Sequence, residues 1–78
     1  MATMFLSDMK VGQRGKIVGM YDYAPGIQRI QEMGVTAGET VEVVRYAPLG
    51  DPMEIRIRGY LLSLRREEAR SIEVTIPN

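Results

Sequence analysis

The chain has 78 residues, ten basic and ten acidic side chains, and neither histidine nor cysteine. This length holds one domain, spanning residues 1–78, and zero net charge speaks against a nucleic-acid partner, whose affinity comes largely from phosphate neutralisation. The missing cysteines remove disulfides, thiolate metal sites and thiol nucleophiles together, and agree with a reducing cytoplasm.

Residues 1–6 are apolar but lack the basic start and cleavage pattern of a signal peptide. No apolar run approaches the ~20 residues needed to span a bilayer. Ser7 stands where it would cap one helical turn ended by Gly12. Gly12-Gln13-Arg14-Gly15-Lys16 has two residues between its glycines, whereas a phosphate-binding P-loop needs four and then Ser or Thr after the lysine. The same spacing in the KH nucleic-acid loop joins two helices. Here a strand follows, so the segment reads as a turn feeding residues 15–21, the first strand, with Ile17 facing inward. Residues 22–26 form a loop. Ile27, Ile30 and Met33 then recur every three residues, which puts them on the core face of one short helix, with Gly34 as its left-handed C-terminal cap. Such a helix is too short to be stable alone and must lean on the sheet.

Residues 36–39 turn the chain into a second strand, 40–46, where Val41 and Val43 face one way and Glu42 the other. The loop at 47–52 is rich in Pro and Gly. In residues 53–58, Met53, Ile55 and Ile57 alternate with Glu54, Arg56 and Arg58, the period of two of a half-buried strand. Gly59-Tyr60 makes a tight connection into residues 61–64. Residues 65–70 read as a second helical turn. Ile72, Val74 and Ile76 alternate with Glu73 and Thr75 in a last strand, ended by Pro77.

About five short strands with one helix inserted after the first cannot make a two-layer sandwich in so few residues. Curling into a small barrel covers the apolar face and most of the edges. The expected fold is therefore mainly β, a small SH3-like partly open barrel, with an OB-type barrel as the alternative topology. Strand edges left open by such a barrel allow a homo-oligomer, which would compete with any partner for the same groove.

The side chains do not assemble an enzyme. Ser7, Ser63 and Ser71 have no base in any recognisable pattern, and a nucleophile without a base is a surface hydroxyl. Glu67 and Glu68 are adjacent on a helical turn, point in different directions and read as solvated. Only oxygen ligands are available to a metal, which suit hard cations. Asp51 with Glu54, or Glu67 with Glu68 and Glu73, would make a weak site at most, and no metal ligand and no cofactor is assigned. The arginines of the second half are interleaved with glutamates, as on a mixed-sign surface. Tyr23, Pro25, Gly26, Leu49 and Tyr60 are apolar or small residues in turns. They either cap the barrel ends or line a groove for an extended partner segment.

Three segments resemble the FeoA family, the small cytosolic companion of the FeoB ferrous-iron transporter. Ile30-Gln31-Glu32-Met33-Gly34-Val35-Thr36-Ala37-Gly38 is similar to the family's helix end, glycine cap and turn, with Ala37 where the family often has Pro. Ala47-Pro48-Leu49-Gly50-Asp51-Pro52-Met53 resembles its P-x-G-D-P loop. Gly59-Tyr60-Leu61-Leu62-Ser63-Leu64-Arg65, followed by Glu68, Ala69, Ile72 and Val74, resembles its closing segment. Leu6 and Gly12 stand at the family's opening positions. The resemblance implies an SH3-like barrel without enzymatic activity that acts in ferrous iron uptake. It implies a FeoB-type membrane permease with a GTPase domain as partner; that implication, the lack of catalytic residues and the apolar turn residues together make Tyr23, Arg29, Leu49 and Tyr60 the expected contacts. The same barrel closes DtxR-type repressors, which leaves a carboxylate-based metal-binding or metal-sensing domain as the alternative.

Overall fold

The computed structural model describes residues 2–21 and 25–77. Six antiparallel strands form one sheet in the order β1-β6-β2-β3-β4-β5. They are β1 (Ala2–Phe5), β2 (Arg14–Met20), β3 (Thr40–Tyr46), β4 (Met53–Ile57), β5 (Tyr60–Leu64) and β6 (Ile72–Ile76). Among the described residues two short helices accompany the sheet: α1 (Ile27–Glu32) between β2 and β3, and α2 (Arg66–Ala69) between β5 and β6. A 3-10 turn, Leu6–Asp8, follows β1.

Two expectations from the sequence are corrected at the N-terminus. Residues 2–5 form a strand, so there are six strands rather than five and α1 follows the second. Four residues, ATMF, carry no alternation of their own. Pairing decides the matter: Ala2 lies opposite Ile76 and Phe5 opposite Glu73, so β6 templates them. Ser7 is not a cap, because the 3-10 turn begins after Phe5 and has no side-chain cap hydrogen bond. Gly12 belongs instead to the entry of β2, where its N–H donates to the carbonyl of Val43 at 2.8 Å with φ +91°.

The alternation read from the sequence sets the two faces of the sheet. Ile17, Val41, Val43, Met53, Ile55, Ile57, Leu64, Ile72 and Val74 are buried on the inner face. Leu6, Met9, Ile27, Ile30, Val35 and Ala69 join them from the turns and helices in a single core. The outer face is a lattice of opposite charges. Glu42 lies opposite Arg14 on β2 and Arg56 on β4, with N···O distances of 3.7 and 3.5 Å, and Arg45 meets Glu54 at 3.6 Å. Exposed pairs of this kind contribute about 0–1 kcal/mol each, so burial, not the ladder of charges, holds the strands.

The curl of the sheet has local causes. The β2–β6 register shifts between Ile17 and Gly19, and the β3–β4 register between Val43 and Arg45. Each bulge inserts a residue and bends its strand. Gly15 allows β2 to cross β6 closely: a Cβ there would sit 2.9 Å from Ile76 Cδ1 and 3.3 Å from Val74 Cβ. The β4–β5 hairpin turns on two residues, Arg58 and Gly59, both at positive φ (53° and 85°), the geometry of a type I′ turn.

α1 ends in a Schellman motif. The N–H of Val35 donates to the carbonyl of Ile30 and that of Gly34 to the carbonyl of Gln31, at 3.2 and 3.0 Å, with Gly34 at φ +98°. Val35 and Ile30 are both fully buried and supply the apolar contact that accompanies this cap. Met33 does not complete the inward stripe expected of it. It lies beyond the last helical residue and is 37% exposed, because the cap rotates it off the face that Ile27 and Ile30 share.

Candidate functional site

Arg29 and Tyr60 are brought together over Met33. The guanidinium of Arg29 places Nη1 3.2 Å from the Met33 sulfur and Nη2 3.4 Å from Glu68 Oε2. The Tyr60 hydroxyl donates to the Met33 carbonyl, one of the last carbonyls of α1, which the helix itself cannot satisfy. Arg58 packs its stem against the same corner, its Cδ 3.2 Å from where a Gly34 Cβ would stand. The end of α1 and the β4–β5 turn thus form one surface, with an arginine on either side of a methionine and a tyrosine. By sequence Met33 falls in the core and Arg58 on a strand, and neither is assigned to a contact surface. The x-Gly pair in the hairpin is the signal that marks Arg58 as a turn-tip residue.

Leu49 lies elsewhere. It is 94% exposed at the tip of the β3–β4 loop. Tyr60 is at the opposite end of β4, whose five residues separate the two by on the order of 14 Å of strand. Leu49 and Tyr60 therefore do not line one groove. Tyr23 lies outside the described residues.

The Gly50-Asp51-Pro52 segment has a structural task. Asp51 Oδ1 accepts from the backbone N–H of Arg66 at 3.0 Å, so a loop between two strands satisfies the first turn of α2. The Asp51–Pro52 peptide is cis. Glu68 completes the arrangement from within α2: its Oε1 accepts from the N–H of Arg65 at 2.8 Å while its Oε2 faces Arg29. Glu68 is only 6% exposed, which corrects the expectation that it is solvated. A glutamate three residues into a helix, reaching back to the N-cap N–H, is the recognisable half of a capping box. Gly26, at φ +88°, passes so near that a Cβ would lie 2.8 Å from Glu68 Oε2.

Of the carboxylates considered as cation ligands, all but Glu67 already have partners among the described residues. Asp51 holds α2, Glu54 faces Arg45, Glu68 is buried at α2, and Glu73 Oε1 accepts from the Tyr21 hydroxyl at 2.8 Å. Among the described residues no three acidic side chains converge on one point.

Tyr46, at the end of β3, donates its hydroxyl to the carbonyl of Met9 and so ties the 3-10 segment to the sheet. Burial raises its phenol above the ordinary value of 10.0, Arg66 draws it down, and Asp8 raises it. The folded state therefore holds this proton more tightly than the unfolded chain. The resulting stability is fully present below about pH 10 and is lost as pH rises through the raised folded value. Tyr46→Phe is expected to lower stability by about 1 kcal/mol at neutral pH and to flatten the alkaline fall. Denaturant melts of both proteins on either side of the tyrosine titration check this. An alkaline fall as steep in the variant as in the parent would remove Tyr46 as its source.

The fold defines a small SH3-like β domain. The chain matches the FeoA domain family over residues 4–76 and belongs to that family. It is 44% identical over 73 residues, 94% of this chain, to the Fe(2+) transport protein A/Fe(2+) transporter FeoB fusion protein of Porphyromonas gingivalis, of whose length it spans 9%. Its structure resembles the FeoA-like protein of Clostridium acetobutylicum, with a TM-score of 0.87 and 32% identity, covering 97% of this chain and 88% of that one. It also resembles the zinc-complexed FeoA of Stenotrophomonas maltophilia, a prokaryotic SH3 domain protein. There the TM-score is 0.80 and the identity 26%, over 92% of this chain and 89% of that one. No helix among the described residues is long and apolar enough to cross a membrane.

Proposed function

We propose that this chain is a non-enzymatic accessory module of ferrous iron uptake that acts in the cytoplasm by docking on a FeoB-type permease and modulating transport. The Porphyromonas gingivalis relative carries this reading: a segment 44% identical to this chain is part of one polypeptide named for both FeoA and FeoB. Covalent fusion keeps two partners at high effective concentration, which is useful where the separate chains associate. Arg29 and Tyr60, gathered over Met33, make the first contact surface. Leu49 makes a second, and Tyr23 is retained as a contact from the sequence.

The test is capture of the cytosolic domain of the permease by the full chain, with guanine nucleotide present. Leu49→Asp is the variant of choice, because a side chain 94% exposed contributes nothing to the core. A contact at the centre of an interface would lose about tenfold or more in affinity. Absence of binding by the parent chain sinks the docking idea. Parental affinity in folded Leu49→Asp, Tyr23→Ala and Arg29→Ala variants moves the docking surface away from these residues.

A further inference from the structure

An open cavity of about 610 Å³ lies between the 3-10 turn and α2, lined by Phe5, Ser7, Asp8, Arg66 and Arg70. We propose that it binds an acidic segment of a protein partner, with the guanidinium groups of Arg66 and Arg70 clamping a carboxylate side chain. Arg58, Arg65, Arg66 and Arg70 form no ion pair among the described residues, whereas Arg14, Arg29, Arg45 and Arg56 each face a glutamate, and of the four without one only Arg66 and Arg70 line this cavity. Arg70 N–H donates to the Arg66 carbonyl at 3.0 Å, so the two residues stand one helical turn apart on one face. Their Cβ atoms are therefore about 5–6 Å apart. Both side chains line the same cavity, so an anion that enters it is attracted by two like charges.

The chemistry of the site selects a carboxylate over a phosphate. The N–H groups of Arg65 and Arg66, which a phosphate would use, are already taken by Glu68 and Asp51. What remains is the planar fork of each guanidinium, which pairs edge to edge with a carboxylate or a phosphate, so the choice between them falls to Asp8. Asp8 at the rim opposes a dianion more strongly than a single carboxylate. Phe5, 37% exposed beside the arginines, offers an apolar wall for the methylenes of a glutamate. This site uses none of the side chains assigned above to FeoB docking, so it stands whichever protein carries the acidic segment.

The full chain, labelled with nitrogen-15, is titrated with a poly-glutamate peptide, with poly-lysine and with inorganic phosphate. The expected result is a saturable shift of the Arg66 and Arg70 side-chain N–H resonances and of the Phe5 and Ser7 amides with poly-glutamate alone, weakened by salt. Arg70→Glu should bind at least tenfold more weakly while keeping parental amide dispersion. Lys16→Glu, on the outer face of β2, should bind as the parent does. No saturable shift at these residues overturns the site. Equal response to phosphate overturns its assignment to a peptide, and full binding by Arg70→Glu overturns its location.

Discussion

Ile30→Ala is expected to lose about 2–5 kcal/mol of folding stability, the range for truncating a fully buried isoleucine. A chain of 78 residues has on the order of 4–12 kcal/mol in total, so this one change removes a large fraction. The site explains the severity. α1 has six residues and cannot persist unaided, and the Ile30 side chain both fills the core and supplies, with Val35, the apolar contact of the C-terminal cap. Each kcal/mol lowers the melting temperature of a domain this size by about 4–8 °C. Met33→Ala, on the same three-residue repeat, should change stability by under about 0.5 kcal/mol, as surface changes do. Thermal and denaturant melts of the two variants check the contrast. Equal losses would mean that the repeat, and not the cap geometry, defines the buried face. Since α1 carries Arg29, the Ile30 variant should also lose the arginine–methionine–tyrosine surface.

Glu68→Ala is expected to cost about 1–2 kcal/mol, because it removes the acceptor of the Arg65 N–H at the start of α2. Glu68→Gln keeps a carbonyl oxygen for that N–H and should cost under about 1 kcal/mol. Arg29→Ala should cost no more than that, since the Arg29 side chain is 56% exposed and its attraction to Glu68 is screened by solvent. The order of the three losses identifies the task of the carboxylate. If Arg29→Ala costs as much as Glu68→Ala, the ion pair and not the cap holds α2 in place. Asp51 acts on the same helix from the β3–β4 loop, so its replacement and that of Glu68 should not be additive.

The inner face of the barrel is legible in the sequence because strand geometry forces it. Ile55 and Ile57 are two residues apart and must share a side, and their alternation with Glu54 and Arg56 leaves only one side to bury. Gly34 is equally readable: a left-handed cap favours glycine, and the apolar stripe ends beside it. The family is readable for the same reason, since its motifs are the turns and caps that this fold requires. Those signals are local, carried by residues a few positions apart.

What the sequence by itself determined is thus the class of fold, the strands with clear alternation, the one α1 helix and the family. Tertiary structure alone decided the remainder, because each such feature joins residues far apart in the chain. β1 exists because β6 offers it an edge, and nothing within ATMF specifies a strand. Met33 and Tyr60 meet across 27 positions, Arg29 and Glu68 across 39. Asp51 looks like a free acid in the sequence and becomes a cap only when the β3–β4 loop folds against α2, whereas Glu68 caps α2 from three residues away. Arg66 and Arg70 look like two of many interleaved charges. Only the packing of α2 against the 3-10 turn leaves them without glutamate partners on one cavity, since pairing of charges is set by distance in space and not by order along the chain.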